Sequence, residues 1–247
     1  MRRSGLVLAA LLLAAGCGSG PVESLPTCTA GDTVLTPEQG ANAATIAAVG
    51  RRLGMPNHAV TVALATAFQE SKLRTLHYGD RDSLGLFQQR PSQGWGTPQE
   101  VLTPRLAAAA FYRHLVRVPG WRTAPVAQAA QAVQHSGFPE AYGRWEGDAR
   151  TLARALTGEV VAGFSCRFKA VAVPDGIATI RAAATRELGA GRLDSPRGPA
   201  QTWAVASWLV AQAAGNGLRT VSAAGQTWTA DRGSWKPDPT AVRVTFS

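Results

Sequence analysis

The sequence has few cysteines, few acidic residues and none of the motifs that mark common metal or nucleotide sites. It contains three cysteines in 247 residues, and its four histidines lack spacings such as His-x-x-x-His that suit a metal ion. It also has no Gly-x-Ser-x-Gly elbow and no phosphate-binding loop. We therefore expect no metal and no other cofactor.

Acidic residues are outnumbered by basic ones. The chain has 25 Lys and Arg against 16 Asp and Glu, a formal charge of +9. In an exported protein this surplus favours contact with an anionic surface, such as cell-wall polymers or lipid headgroups. An ordinary solvated basic surface is the other interpretation. Because no run of Lys and Arg is interleaved with aromatic residues, nucleic acid is not an expected partner.

The first residues have the pattern of an export signal. Arg2 and Arg3 precede an apolar run over 6–15, which is too short to span a bilayer as a mature helix. The run ends in Leu-Ala-Ala-Gly-Cys, which resembles a lipobox, and the resemblance implies lipidation of Cys17 after removal of residues 1–16. We expect a tether over 17–35 and a lipoprotein on the outer face of the cell membrane. Simple secretion into the cell wall is the alternative.

Two further cysteines, Cys28 and Cys166, flank the segment that follows the tether. In an oxidising compartment two cysteines allow one disulfide, which would tie the two ends of that segment together. Two separate thiols are the alternative, and the exported location favours the disulfide.

The periodicity of the chain predicts a mainly α protein in two parts. Residues 36–166 carry about six helical patterns, the last of them over 139–156, and no convincing alternating strand, which indicates an all-α domain. Capping boxes begin helices at Thr36 and Thr97, and Asn57 is the expected cap of a third helix. Residues 167–247 combine two helices with short strand-like runs over 218–222, 226–229 and 242–246, which indicates a small α+β domain.

The helix that begins at Asn57 is apolar on all sides and ends at a carboxylate. Residues 59–68 contain only two polar side chains, both threonines, so the helix is expected to be buried all round. Glu70 follows directly, and a carboxylate at the end of a buried helix is partly desolvated, which raises its pKa. A glutamate that keeps its proton near neutrality can act as a general acid.

The stretch from Glu70 to Pro91 resembles a known group of enzymes. Glu70-Ser71, a polar loop with Ser83, and Gly-Leu-Phe-Gln ending at Gln88 are similar to the Glu-Ser and Gly-Leu-Met-Gln signatures of soluble lytic transglycosylases and goose-type lysozymes. The resemblance implies a lysozyme-like fold, with its β-region reduced to the loop 75–84. It also implies that Glu70 is the catalytic acid/base and that Gln88 lines a saccharide groove.

A second resemblance covers a continuous segment that begins within the same stretch. The letters G-D-R-D-S-L-G-L-F-Q-Q-R-P-S-Q-G-W-G-T, residues 79–97, are shared with a group of secreted actinobacterial proteins. The tryptophan-rich pattern that begins at Trp203 is similar to a C-terminal module of such proteins. Neither likeness implies an activity.

Several side chains near the signature are candidates for the groove. Aromatic rings in the adjoining loops could stack on sugar rings, and amides and hydroxyls could bind sugar hydroxyls. The candidates for substrate binding are Ser71, Tyr78, Ser83, Gln88, Gln89, Trp95 and Gln134. Gln134 is included because the third transglycosylase signature, Ala-Tyr-Asn, is absent from the helix over 129–137, where Gln134 and Ser136 stand instead.

Asp80 and Asp82 are the possible second carboxylates. An inverting glycosidase needs a base about 6.5–9.5 Å from its acid to activate water. A lytic transglycosylase needs none, because a hydroxyl of the substrate attacks. The other interpretation is that both aspartates accept backbone N–H bonds within a turn.

The sequence therefore predicts an exported enzyme that cleaves the β-1,4 bond between N-acetylmuramic acid and N-acetylglucosamine in peptidoglycan, with Glu70 as acid/base. The expected partners are peptidoglycan or another cell-wall polysaccharide, and a membrane through the lipid on Cys17. The alternative is a catalytically inactive lysozyme-like lipoprotein that binds or organises the cell wall.

Overall fold

The computed structural model describes residues 25–247, and this part of the chain is mainly α-helical with two small antiparallel sheets. The helices within it are α1 (Pro37–Arg52), α2 (Asn57–Ser71), α3 (Pro98–Val101), α4 (Pro104–Leu115), α5 (Val126–Gln134), α6 (Glu146–Leu156), α7 (Gly176–Glu187) and α8 (Gly198–Asn216). The strands are β1 (Thr27–Ala30), β2 (Thr33–Leu35), β3 (Ser165–Arg167), β4 (Thr220–Ala223), β5 (Gln226–Thr229), β6 (Ser234–Pro237) and β7 (Thr245–Phe246). The prediction of a mainly α chain with a small β portion is confirmed. The export signal and Cys17 lie outside the described residues.

Helix α2 is the centre of the fold. Its residues 59–68 are all buried, as the apolar run predicts, and it packs against α1, α4, α5 and α6. The expected cap was wrong by one position, because Pro56 occupies the cap and Asn57 is already helical. Asn57 instead donates a hydrogen bond to Glu159. None of the described helices has the length and hydropathy needed to cross a membrane.

The end of α2 is held by side chains of α1. Lys72 and Leu73 both adopt left-handed backbone, with φ of 56° and 58°, and turn the chain sharply after the helix. Gln39 donates to the carbonyl of Lys72 at 2.8 Å, and Asn42 donates to that of Leu73 at 2.8 Å. These contacts fix the direction in which the last turn of α2 points.

Both predicted capping boxes are present. The hydroxyl of Thr36 accepts from the N–H of Gln39, whose side chain returns a bond to the Thr36 backbone. Thr97 and Glu100 form the same pair at the start of α3. Each box satisfies two backbone donors of a helix terminus that have no partner within the helix.

A three-stranded sheet joins the two ends of the predicted all-α domain. The strand order is β2-β1-β3, so the segment 27–35 is structured and the expected tether over 17–35 was wrong there. Cys28 of β1 lies opposite Cys166 of β3, and the two form a disulfide, which confirms that prediction. The sequence does not predict these strands, because each has only three or four residues. That is too few to show an alternation of apolar and polar side chains.

The predicted helix over 139–156 is interrupted. Residues Pro139–Trp145 form a 3₁₀ helix, and α6 begins only at Glu146. This change of helix type brings Tyr142 into the protein interior, where its side chain is 0% exposed.

The C-terminal part packs onto the N-terminal part through α8. Because α8 is apolar all round, it needs cover on every side, and α1, α6, α7, β3 and β4 all pack against it. The indole of Trp228 donates to the Cys166 carbonyl at 2.9 Å, and that of Trp235 to the Phe164 carbonyl at 2.9 Å. A single hydrophobic core therefore runs across the boundary expected at residue 167.

The second sheet has the order β6-β5-β4-β7. Strands β4 and β5 lie where short runs were expected, whereas β6 was not anticipated. Its Lys236 and Pro237 are typical of an edge strand rather than of an apolar run. The last expected run, 242–246, is a strand only over Thr245–Phe246.

Candidate active site

Glu70 lies in the last turn of α2, where the helix emerges from the core. It is partly buried, and burial raises the pKa of its carboxyl. Hydrogen bonds from Tyr142 and Gln134 and the positive charge of Lys72 act in the opposite direction. The carboxyl is therefore more readily protonated than an exposed glutamate, while donors stand ready to stabilise its anion. That combination suits a group that both gives and takes a proton.

The closest partner of Glu70 is a residue that sequence analysis missed. The hydroxyl of Tyr142 donates to Oε1 of Glu70 at 2.7 Å. Burial, followed by the charge of Glu70, raises the pKa of Tyr142, so the phenol keeps its proton and remains a donor. The helical pattern over 139–156 does not distinguish Tyr142 from its neighbours as a site residue.

The letters Ala-Tyr occur outside the helix over 129–137, from which the Ala-Tyr-Asn signature is absent. Ala141-Tyr142-Gly143 carries the first two letters of that signature and follows α5 along the chain. The signal was visible in the sequence, but the pair lies in the 3₁₀ helix after α5 rather than on α5. Gly143 still stands where the signature has asparagine.

Ser71 and Gln134 hold the turn that faces Glu70. Ser71 donates to the Leu86 carbonyl at 2.8 Å, and Gln134 donates to the Phe87 carbonyl at 2.8 Å. Leu86 and Phe87 are fully buried. Ser71 is only 3% exposed, and its hydroxyl is used in fixing the turn.

The turn also depends on Gly85. Its φ is 75°, and a Cβ built there would lie 2.1 Å from the Val101 carbonyl oxygen. Only glycine fits this combination of backbone angle and close approach. The position of the Gly-Leu-Phe-Gln turn relative to α2 is thus determined by α3 as well as by α5.

The two glutamines after the turn have different surroundings. Gln88 is partly exposed, and its amide lies 3.3 Å from the carbonyls of Tyr78 and Gly85. Gln89 is 1% exposed and donates to the Ala107 carbonyl of α4 at 3.1 Å. Gln88 is therefore accessible to a ligand in the groove, whereas the Gln89 amide lies inside the fold.

The loop carboxylates are not equivalent. Asp82 accepts from the Arg90 guanidinium at 2.7 Å and from the Ser92 N–H at 2.8 Å. These bonds, the one from Arg90 above all, hold the pKa of Asp82 well below its usual range. Asp82 therefore joins the loop to the segment that follows the Gly-Leu-Phe-Gln turn, through Arg90 and Ser92. Asp80 is exposed, with Arg81 4.0 Å away.

The remaining residues that were predicted to contact substrate differ in how far they are exposed to solvent. Tyr78 is 68% exposed and presents its ring to solvent. Trp95 is partly buried, and one face of its indole stacks on the His114 imidazole with 4.0 Å between centroids. Ser83 is only 7% exposed, which leaves little of it for a ligand.

Two cationic side chains and an indole lie beside Glu70 and were not predicted. They belong to Lys72, Arg144 and Trp145, and we call this group the cationic rim. The Lys72 ammonium is 4.3 Å from the centroid of the Trp145 ring, and the Arg144 guanidinium is 5.2 Å from it. Gln69 accepts from Arg144 at 2.6 Å and from the Trp145 indole at 3.0 Å. Burial and the neighbouring arginines lower the pKa of Lys72. The rim places positive charge next to the carboxyl.

No set of three or more His, Cys, Asp or Glu within residues 25–247 is arranged to hold a metal ion. No family model matches the chain, and no curated protein matches it.

Proposed function

We propose that the protein is an exported, lysozyme-like lytic transglycosylase that cleaves the β-1,4 bond between N-acetylmuramic acid and N-acetylglucosamine in peptidoglycan. The observation that carries the proposal is the setting of Glu70. Its carboxyl has a raised pKa, accepts a bond from Tyr142, and lies beside a turn held by Ser71 and Gln134. The export pattern of residues 1–17 and the disulfide support a location outside the cytoplasm.

In this reaction the Glu70 carboxyl first gives its proton to the glycosidic oxygen. The bond from that oxygen to C1 of the muramyl unit breaks, and the leaving sugar departs as an alcohol. The Glu70 carboxylate then takes the proton of the muramyl C6 hydroxyl as its oxygen bonds to C1. The product is a 1,6-anhydro end, and Glu70 is again protonated. Tyr142 supports the carboxylate between the two steps, because a donated hydrogen bond favours the ionised form.

The carboxylates favour this route over direct hydrolysis. Both oxygens of Asp82 are engaged by Arg90 and Ser92, so Asp82 is poorly placed to activate water. Asp80 is the other candidate for a hydrolase, and its side chain is 89% exposed to solvent. A transglycosylase does not require either of them.

The cationic rim supports an anionic substrate. Peptidoglycan carries carboxylates on its peptide stems, and the Lys72 ammonium and the Arg144 guanidinium offer donors close to Glu70. The charge of +9 over the whole chain acts in the same direction at longer range.

The test is mass spectrometry of the soluble products after the protein is incubated with purified peptidoglycan. Wild type should release anhydromuramyl fragments, and Glu70→Gln should release them at least about a hundredfold more slowly, the scale of a lost general acid. Glu187→Gln is the matched control, since Glu187 is also a partly buried glutamate with a raised pKa but lies far along the chain in α7. Equal digestion by wild type and Glu70→Gln would overturn the proposal.

A cell-wall binding protein without turnover is the second candidate. The observation that favours it is Gly143, which replaces the amide of the Ala-Tyr-Asn signature and removes one polar contact with a substrate. A folded protein that pellets with the wall and releases no fragments would support it. Fragments with reducing ends would instead indicate a hydrolase.

A further inference from the structure

The two exposed aromatic side chains of the described structure belong to the two loops around Glu70. The chain has seven Phe, seven Trp and three Tyr residues, all of them within residues 25–247. In this part of the chain only Tyr78, 68% exposed, and Phe138, 77% exposed, present most of their surface to solvent. The other aromatic side chains are buried or partly buried, which is the usual place for such large apolar surfaces. Two exposed rings beside one carboxyl therefore indicate a surface that a ligand covers.

Phe138 lies in the middle of a segment whose two ends bind Glu70. Gln134 precedes it and Tyr142 follows it by four positions each. Both side chains donate hydrogen bonds to the Glu70 carboxyl, and that from Tyr142 measures 2.7 Å. Phe138 was not among the residues predicted to bind substrate. Its exposed ring nevertheless belongs to the segment that is anchored on the proposed acid.

The backbone of Phe138 is fixed on both sides. Its N–H donates to the Ser136 hydroxyl at 3.1 Å, and its carbonyl accepts from the N–H of Ala141 at 3.1 Å. Gln131 holds the same loop by donating to the Ser136 carbonyl at 2.8 Å. A ring on a backbone that is already fixed loses little conformational freedom when a ligand covers it, which favours binding.

Tyr78 is positioned in a comparable way on the other loop. Its carbonyl lies 3.3 Å from the amide nitrogen of Gln88. Gly79 leaves room for that amide, because a Cβ built there would lie 1.9 Å from Oε1 of Gln88. Gln88 in turn belongs to the turn that Gln134 holds beside Glu70. The two exposed rings therefore approach the carboxyl from two separate loops.

The surroundings of the two rings are polar. His77 and Asp80 are exposed next to Tyr78 in the chain, and Glu140 is exposed two positions after Phe138. A lipid or an apolar peptide would need a continuous apolar patch. A sugar ring instead presents C–H groups on one face, which pack on an aromatic ring, and hydroxyls at its edge, which need polar partners. A saccharide is the ligand class that fits this combination.

We propose that Phe138 is a sugar-binding residue, and that Phe138 and Tyr78 stack on two rings of one glycan chain that lies across Glu70. The proposal rests on the glycan-cleaving function proposed above, and it adds the size of the substrate. Because the two rings lie on either side of the bond that Glu70 protonates, the site requires sugars on both sides of that bond. The preferred substrate is therefore a segment longer than a disaccharide, bound through both rings at once.

Calorimetric titration of the full-length Glu70→Gln variant tests the proposal, because this variant binds sugars without turnover. The probes are the β-1,4-linked disaccharide and hexasaccharide of N-acetylglucosamine. The hexasaccharide should bind at least about tenfold more tightly than the disaccharide, since only the longer chain reaches both rings.

Three further substitutions are made in the same background. Phe138→Ala should weaken binding of the hexasaccharide by about tenfold and leave the Tm unchanged, because the ring is exposed. Phe138→Tyr keeps an aromatic face and should retain the affinity. Val161→Ala is the matched control and should leave binding unchanged. Val161 is an exposed apolar residue two positions after Glu159, which accepts from Asn57 at the opposite end of α2 from Glu70.

The proposal is overturned if the hexasaccharide does not bind at millimolar concentration, or if it binds Phe138→Ala as tightly as the parent variant. Equal weakening in Phe138→Ala and Phe138→Tyr, or in Phe138→Ala and Val161→Ala, would also overturn it. Release of anhydromuramyl fragments by wild type tests the proposed function separately. Fragments together with binding that does not depend on Phe138 would overturn only the present inference. Binding that depends on Phe138 without any fragments would support the sugar-binding surface and overturn only the transglycosylase.

Discussion

Glu70 and Glu187 are both partly buried glutamates, and burial raises the pKa of each carboxyl. Their partners differ. Glu187 accepts from Trp208 and Thr45 within a packed contact between α1, α7 and α8. Glu70 accepts from Tyr142 at the end of α2, beside an exposed loop and a cationic rim. A raised pKa alone therefore does not distinguish the two glutamates, and their partners do.

Replacing Tyr142 should change the pH dependence of the proposed activity. The phenol donates to the Glu70 carboxylate, so Tyr142→Phe removes a bond that favours the anion and raises the pKa of Glu70 further. Because the acid must be protonated, activity is lost as pH rises through that pKa. The alkaline limb of the kcat/KM profile should move upwards by about one pH unit, the equivalent of ~1.4 kcal/mol.

Tyr112→Phe is the control for this experiment. Tyr112 is also a buried tyrosine, but its hydroxyl donates to the Ile46 carbonyl at 3.0 Å rather than to a carboxylate. Its loss should lower stability and leave the alkaline limb in place. A profile that does not move in Tyr142→Phe would contradict the coupling between the phenol and Glu70.

At the scale of elements, the site depends on how the end of α2 meets the Gly-Leu-Phe-Gln turn. The apolar run over 59–68 predicted the helix, but nothing local predicted that Ser71 would bind the Leu86 carbonyl or that Gln89 would turn inward. Which side chains of a turn face the core depends on the elements that pack against the turn. Here Leu86 and Phe87 enter the core, and the polar groups between and after them must find partners inside.

Ser71→Ala should lower both stability and the proposed activity. The substitution leaves the buried Leu86 carbonyl without its side-chain donor, which should cost about 1–3 kcal/mol in the free energy of unfolding. The turn is then free to shift relative to Glu70, so kcat should fall several-fold. Urea denaturation and product release measure the two effects.

The variant Ser207→Ala separates the effect on stability from the effect on the proposed activity. Ser207 is a buried serine whose hydroxyl donates to the Ala155 carbonyl at 3.2 Å, in the contact between α6 and α8. The Ser207→Ala variant should lose a comparable free energy of unfolding. Its kcat should stay unchanged at a temperature where both variants are folded. An equal fall in kcat would mean that Ser71 acts only through stability.

At the scale of the whole molecule, the disulfide and α8 make one body of the described chain. Cys28 and Cys166 are 138 positions apart and join β1 to β3. The second sheet then packs on the same strands through Trp228 and Trp235. The two parts expected from the change of composition at residue 167 are therefore continuous in their core.

The double variant Cys28→Ser/Cys166→Ser should be less stable by about 2–5 kcal/mol, because a cross-link over so long a loop restricts the unfolded chain strongly. Thermal unfolding with and without a reducing agent is the measurement. Reduction should lower the Tm of wild type towards that of the double variant and leave the variant itself unchanged. A wild type indifferent to reduction would contradict a stabilising role for the disulfide.

The sequence by itself determined the features that rest on local patterns. Capping boxes at Thr36 and Thr97 and the buried helix before Glu70 each follow from a few neighbouring residues. Only the tertiary structure decided which distant groups meet. The bond between Tyr142 and Glu70 spans 72 positions, and the bond from Gln134 to the Phe87 carbonyl spans 47. Such contacts are chosen by the packing of whole helices, and no local pattern encodes that packing.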